Sequence, residues 1–354
     1  MKALVWNGTH ATVTTSHPIP KLPPDYLLIQ TIAIALNPTD AKAIAQGRAS
    51  PDNGLLGSDF AGIVRDVGPL VRKPWKPGDR VCGVTHGGNN ARPEDGAFAE
   101  YIVAKGDTCI RIPAHMGFEE AATIGVSAIT DGQGMFQAMG LDLPVVENQV
   151  QQKKGEFLLV YGGSSSTGTL AIQFGKLAGY TVLTTCDPKN FDLVTSRGAE
   201  MAFNYKDPTC GQQIYDYTHG QLKLIFDTIG NPSSISICET AFSKQPTCRY
   251  GTLLLNDFSP QRRPDVVCSS SVLMTFRGEA FDLFGRHFPA SKEDFEFASM
   301  FAGITERLLD EGLLVPHPVV LKSGGLGGVV DGLELVRDGK VSGGKLVYRV
   351  ADTA

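Results

Sequence analysis

Residues 157–179 read FLLVYGGSSSTGTLAIQFGKLAG, and this stretch decides the fold. Phe157, Leu158, Leu159, Val160 and Tyr161 are too few and too uniformly apolar for an amphipathic helix, so they predict a strand buried on both faces of a parallel sheet. Gly162 and Gly163 break that strand. From Gly168 onward, Leu170, Ile172, Phe174, Leu177 and Ala178 recur at helical spacing. Gly179 stops the helix before a second predicted strand, Thr181 to Thr185. Strand, glycine turn, helix and strand make one βαβ unit.

A glycine turn feeding a helix collects unpaired backbone N–H groups and the positive end of the helix dipole at one point, where a pyrophosphate can dock. Reading G-x-G-x-x-G from Gly163, Ser165 replaces the middle glycine and Gly168 closes the pattern. A serine hydroxyl can supply a phosphate hydrogen bond, although its β-carbon limits the approach of the backbone. The turn alone is equally compatible with a tight strand-to-helix connection.

The chain of 354 residues has room for two domains at about one per 150 residues. Hydrophobic residues make up 42% and charged residues 19%, the composition of a globular protein with a substantial core. The net charge of -5 and the lack of a basic cluster argue against nucleic acid as a partner. No apolar run approaches the roughly 20 residues of a membrane span, and no signal-like apolar segment precedes Asn7 to His10, so a soluble, intracellular, cytoplasmic protein is expected. The 7 cysteines are scattered without a C-x-x-C pair, which argues for small core residues rather than a disulfide framework or a cysteine-rich zinc site.

Along the chain, Lys2 to Trp6 and Tyr26 to Leu36 predict strands of a β-rich first region. Asn37-Pro38-Thr39-Asp40 then leads into a short helical run, Ala41 to Ala45, with Asn37 or Thr39 as candidate cap. Gly57-Ser58-Asp59-Phe60-Ala61-Gly62-Ile63-Val64, Lys76-Pro77-Gly78-Asp79-Arg80-Val81 and Gly96-Ala97-Phe98-Ala99-Glu100-Tyr101 are short strands and tight turns. From about 154 to 288, strands alternate with helices, including Leu222 to Phe226 ending in Asp227 and Gly251 to Leu255. That alternation implies a parallel sheet with right-handed crossovers.

This order of segments, with Ser196-Arg197-Gly198-Ala199-Glu200, the run Asp331 to Lys340 and Gly343-Gly344-Lys345-Leu346-Val347, resembles the medium-chain dehydrogenase/reductase superfamily from Met1 to about Val350. The resemblance implies an α/β fold: a GroES-like β-rich catalytic domain (1–153 and 289–354) around a Rossmann doubly wound parallel sheet (154–288). Zinc-dependent members carry a cysteine at Asn37 and a His-Glu pair at Ser58-Asp59, and their four-cysteine lobe has no counterpart in the His86 to Asp95 loop. No metal is expected, and His86 is expected on the surface. Within the zinc-free members, YGGSSSTG followed by CDPKNFDLVTSRGAE looks closest to the trans-acting enoyl reductases of fungal polyketide synthases. That likeness implies NADPH-dependent reduction of an α,β-unsaturated thioester on an acyl carrier protein, in secondary metabolism, by a monomer or homodimer.

Counting back from Arg197-Gly198-Ala199 puts Thr185 where NAD-preferring domains carry an acid for the ribose 2′-OH, which favours NADPH. Asp187 complicates this preference; Lys189 and Asn190 are candidates to meet the phosphate, or Asp187-Pro188 simply starts a turn. The resemblance further implies cofactor contacts from Thr39, Asp40, Ala41 and Lys42, from Ser164, Ser165, Ser166 and Thr167, from Tyr205, Leu255 and Asn256, and from Val341 and Ser342. Lys42, with Thr39 beside it, is the catalytic candidate and proton donor; water is the alternative source. Thr130, Asp131, Gly132, Gln133, Gly134, Met135, Phe136 and Gln137, and Met274, Thr275, Phe276, Arg277 and Gly278, correspond to substrate-lining segments, with Met135 and Phe276 equally readable as core. The competing functions are a zinc-independent quinone or enone reductase acting on free small molecules, and an NADP-binding protein without turnover.

Overall fold

The computed structural model describes residues 1–45, 49–51, 54–144, 154–254, 263, 265–283 and 285–354. They form two compact units: Met1–Val126 with Met274–Ala354, and Ser127–Leu273. The motif order expects boundaries near 153 and 289, whereas the compact division takes 127–144 into the second unit and 274–288 into the first. Side-chain packing explains the difference. Phe136 meets Phe174 edge-on, with ring centroids 6.4 Å apart. Arg277, for its part, is paired with Asp95 inside the first unit.

The second unit is built on a six-stranded, wholly parallel sheet in the spatial order Met201–Asn204, Thr181–Cys186, Phe157–Tyr161, Leu224–Asp227, Cys248–Thr252, Val266–Ser270. This is the doubly wound order, in which the progression of strands across the sheet reverses between the first and fourth strands. The central strands are almost wholly buried, as their uninterrupted apolar runs predict. One face is closed by Ile214 and Cys238 of the helices Cys210–Tyr217 and Pro232–Ala241. The fifth strand runs from 248 to 252, earlier than the expected 251 to 255.

The first unit centres on the ten-residue strand Tyr26–Ala35, which joins a seven-stranded sheet with Val319–Lys322, Lys345–Arg349, Asp59–Val67, Arg80–Val84, Ile110–Arg111 and Tyr101–Lys105. All of these pairings are antiparallel except that between Val319–Lys322 and Lys345–Arg349. Leu27, Ile29, Ile34, Phe60 and Phe98 fill its core, against Leu326, Val329 and Leu333 of the helix Gly325–Arg337. Six of the seven cysteines are buried and Cys268 is exposed. Among the described residues no helix is long and apolar enough to cross a membrane.

Candidate active site

In the second unit the crevice of interest lies beyond the carboxyl ends of Phe157–Tyr161 and Leu224–Asp227, the switch point where sheets of this order take their ligands. Gly162 has φ of 83°, a backbone state that glycine adopts without strain. A Cβ on Gly163 would run into Thr184 Oγ1, and one on Gly168 into the Gly162 carbonyl. Both glycines are therefore required for the turn and helix to lie this close to the strand.

Ser165 takes a different part from the one expected of it. Its Oγ accepts the Gly168 N–H at 2.9 Å and donates to the Gly162 carbonyl at 2.8 Å. The residue in place of the middle glycine is thus the N-cap of the helix Ser166–Leu177, and its one proton is spent inside the turn. Ser166 Oγ lies 2.8 Å from Ser127 Oγ. Ser164 through Thr167 are all half-buried at the rim of the crevice. On the opposite lip, Asp227 is fully buried and shapes the loop after the fourth strand. Its Oδ1 accepts the N–H groups of Ile229 and Gly230, and its Oδ2 accepts the hydroxyls of Ser234 and Tyr250. This role is one that sequence reasoning missed, and an acid ending an apolar strand is its signal.

Thr185 does not occupy the ribose-reading position. It is fully buried, and its Oγ1 accepts the Gly162 N–H at 3.1 Å. The strand runs on through Cys186, also buried, so the first residue to leave it is Asp187. Asp187 caps the short turn Pro188–Asn190 through the Lys189 N–H, and its carboxylate pairs with Lys206 Nζ at 2.6 Å. Those two donors hold its carboxyl below the usual carboxylate range. Asn190 is buried, Lys189 exposed and Tyr205 39% exposed. Leu255 and Asn256 lie outside the described residues.

In the first unit the helix begins at Pro38 and spans Pro38–Ala45. Neither expected cap sets the turn. Asp40 reaches back to accept the Asn37 N–H at 2.8 Å, while the Asn37 side-chain amide donates to Asp59 Oδ2 at 2.9 Å. Ser58 Oγ donates to Asp40 Oδ1 at 2.7 Å, the Val126 N–H to Asp59 Oδ1 at 2.7 Å, and Lys345 Nζ meets Asp59 Oδ2 at 2.5 Å. Asn37, Ser58 and Asp59, which the resemblance set against zinc ligands, are thus joined with Asp40 and Lys345 in one hydrogen-bonded network. Burial outweighs the donors at Asp40 and pushes its carboxyl up to about 6. Among the described residues no group of three or more His, Cys, Asp or Glu converges as a metal site. Thr39 is half-buried and Lys42 exposed, on a helix that packs against Gly325–Arg337; Val341 and Ser342 follow that second helix.

The two lining segments differ. The helix Gly125–Asp131 widens into a π-helical turn over Gly132–Ala138, with the Met139 N–H bonding five residues back to Gly134 O at 3.1 Å. A Cβ on Gly134 would meet the Phe226 ring at 2.6 Å. Thr130, Gln133, Met135 and Phe136 are buried, and Gln137 is half-buried. Asp131 is fully buried with neither carboxylate oxygen hydrogen-bonded, and burial raises its pKa well above the usual range. In the other segment Met274, Phe276 and Arg277 are buried; the Arg277 guanidinium is held by Asp95 at 2.8 Å, Glu279 at 2.5 Å and Tyr26 Oη at 3.1 Å. Arg277 is therefore committed to an internal ionic cluster. His86, expected on the surface, is buried in the same cluster, 3.3 Å from Arg277 Nη1 and edge-on to Phe281.

Residues 23–114 match the alcohol dehydrogenase GroES-like domain. Across 352 residues the chain is 42% identical to a trans-enoyl reductase of Aspergillus sclerotiorum, covering 96% of this chain and 97% of that one. The chain belongs to the trans-enoyl reductases. It is an oxidoreductase of the medium-chain superfamily, acting on a carbon–carbon double bond. Solved structures carry the same fold over the whole length of this reductase. An alcohol dehydrogenase superfamily protein from Novosphingobium aromaticivorans has a TM-score of 0.78 at 22% identity, over 98% of this chain and 99% of that one. A mycobacterial protein complexed with NADPH has a TM-score of 0.71 at 19% identity, over 99% and 100%.

Proposed function

We propose that this trans-enoyl reductase uses NADPH to reduce an α,β-unsaturated polyketide thioester carried on the acyl carrier protein of a partner synthase. The observation that carries the proposal is the glycine turn at the switch point of the parallel sheet, where Gly163 and Gly168 let the turn and the helix N-terminus lie close against the strand, at the place where sheets of this order bind a pyrophosphate. The NADPH complex of the mycobacterial protein of like fold supports the choice of cofactor.

In this reading Ser164, Ser166 and Thr167 line the phosphates, Tyr205 lies by the adenosine, and Thr39, Asp40, Ala41, Lys42, Val341 and Ser342 hold the nicotinamide end. When bound, NADPH supplies the hydride that enters at the β-carbon of the enoyl group. The double-bond electrons then move onto the thioester oxygen. The chain's task is to orient the acyl group, stabilise that charge and return a proton to the α-carbon. Lys42 is the proton donor, presented on the helix that the Asn37–Asp59 network fixes in place. Thr130, Gln133, Gln137 and Thr275 are the polar residues of the acyl walls, and Met135 and Phe276 their buried backing.

The test follows the label. With NADPH deuterated at C4 and a crotonyl thioester, mass spectrometry of the product should find one deuterium at the β-carbon and a solvent proton at the α-carbon. Lys42→Ala should lower kcat by at least tenfold and raise the NADPH Kd by a smaller factor than the loss in kcat. Label absent from the acyl chain sinks the proposed reaction, and an unchanged kcat removes Lys42 as donor.

A further inference from the structure

In a sheet of this strand order, the residue leaving the second strand meets the ribose whose 2′ position distinguishes NADH from NADPH. The structure puts Asp187 at that point, because Thr185 and Cys186 are both buried within the strand. A carboxylate there accepts a hydrogen bond from a ribose 2′-OH and repels a 2′-phosphate, which opposes the NADPH reading on which this inference rests.

The neighbouring strand answers the conflict. Met201–Asn204 pairs in parallel with Thr181–Cys186, with Cys186 opposite Asn204, so the residues just past the two strand ends are neighbours. Asn204 Oδ1 accepts the Lys206 N–H at 3.0 Å and fixes the turn. Lys206 Nζ then lies 2.6 Å from Asp187 Oδ2, while its side chain remains 58% exposed. Lys206 also lines a cavity of about 410 Å³ together with Tyr205, Asp207, Ser233, Ser236 and Ile237. An ammonium group carries three donors, so one that pairs with a carboxylate can also bind a phosphate beside it. Lys189 contributes its backbone N–H to Asp187 at 3.2 Å, which already fixes that residue's part in the turn.

We infer that Lys206 is the specificity-determining residue for the cofactor: paired with Asp187, it neutralises the carboxylate that would exclude a 2′-phosphate and presents its own charge to that phosphate. The chain therefore keeps an acid suited to NADH yet accepts NADPH, and the preference is set by one exposed lysine.

The test is equilibrium binding of NADPH and NADH, followed by titration calorimetry on the full chain without acyl substrate. Wild type should bind NADPH more tightly. Lys206→Met should lower the NADPH-to-NADH affinity ratio at least tenfold while the NADH Kd moves less than threefold. Asp187→Ser should raise the ratio, and in that background Lys206→Met should cost at least threefold less than it does alone. A wild-type preference for NADPH that Lys206→Met leaves within twofold overturns the inference alone, as does a tenfold loss produced by Lys189→Met instead. A wild type that prefers NADH overturns the NADPH reading and the inference together.

Discussion

Asn37 Nδ2 donates to Asp59 Oδ2 at 2.9 Å, tying the turn that opens the helix Pro38–Ala45 to a strand 22 residues further along the chain. The same carboxylate receives Lys345 from the last strand and the Val126 N–H. Three separated segments thus converge on one buried acid, and the position of Lys42 depends on them.

Because Asp59 and the Lys345 side chain are 0% and 4% exposed, removing either charge leaves the other buried without a counter-charge or solvent. Lys345→Met should destabilise the protein by about 3–5 kcal/mol in urea unfolding. The double variant Lys345→Met with Asp59→Asn should recover part of that loss, since the amide oxygen still accepts while the charge is gone. A single-variant cost below about 1 kcal/mol would contradict a buried pair.

Asp40 gives this network a pH dependence. Its folded pKa, about 6, exceeds the ordinary 3.8, so the folded state holds the proton more tightly than the unfolded chain. That stability is fully present below pH 3.8 and is lost as pH rises through 6, a change of about 3 kcal/mol. Asp59 and Lys345 are the charges that face it. Asp40→Asn should remove this downward slope from chemical-denaturation curves taken between pH 4 and 7. A slope that persists unchanged would assign it to other groups.

Ser165 separates capping from phosphate binding. Ser165→Ala should cost about 1 kcal/mol and Ser165→Gly a few tenths. Since the hydroxyl proton already goes to Gly162, Ser165→Gly should keep the NADPH Kd within threefold. A tenfold loss in calorimetry would mean that the hydroxyl binds phosphate after all.

Asp131 carries a buried carboxyl with neither oxygen hydrogen-bonded, and burial raises its pKa. Its raised pKa means that folding weakens as pH rises above the unfolded value, because the folded state resists ionisation. Asp131→Ala should therefore stabilise the protein at pH 8, by about 1–3 kcal/mol, and by less at pH 5. Equal destabilisation at both values would show that the carboxyl has a partner in solution.

Much of this was legible in the sequence, and unevenly so. Phe157–Tyr161 and the glycines after it announced the parallel sheet because a doubly buried strand and a left-handed turn leave strong local marks. The substitutions at Asn37 and Ser58-Asp59 marked a position that had changed its chemistry. What took over there was hidden, since Lys345 enters from the far end of the chain. Thr185 was assigned one role and filled another: counting along a strand does not reveal which side chain turns back to cap a glycine turn. His86 and Arg277 looked like loop and wall residues, yet an ionic cluster with Asp95 and Glu279 gives each a buried partner that local sequence cannot show.

The most direct test of the proposed function is acceptor-dependent loss of reduced-nicotinamide absorbance, with enoyl thioesters on a carrier protein or a short thiol compared against a free quinone. Thioester-dependent oxidation of NADPH is expected, faster with the carrier-bound acyl group, with little turnover of the quinone. Rapid quinone reduction with inert thioesters would contradict it.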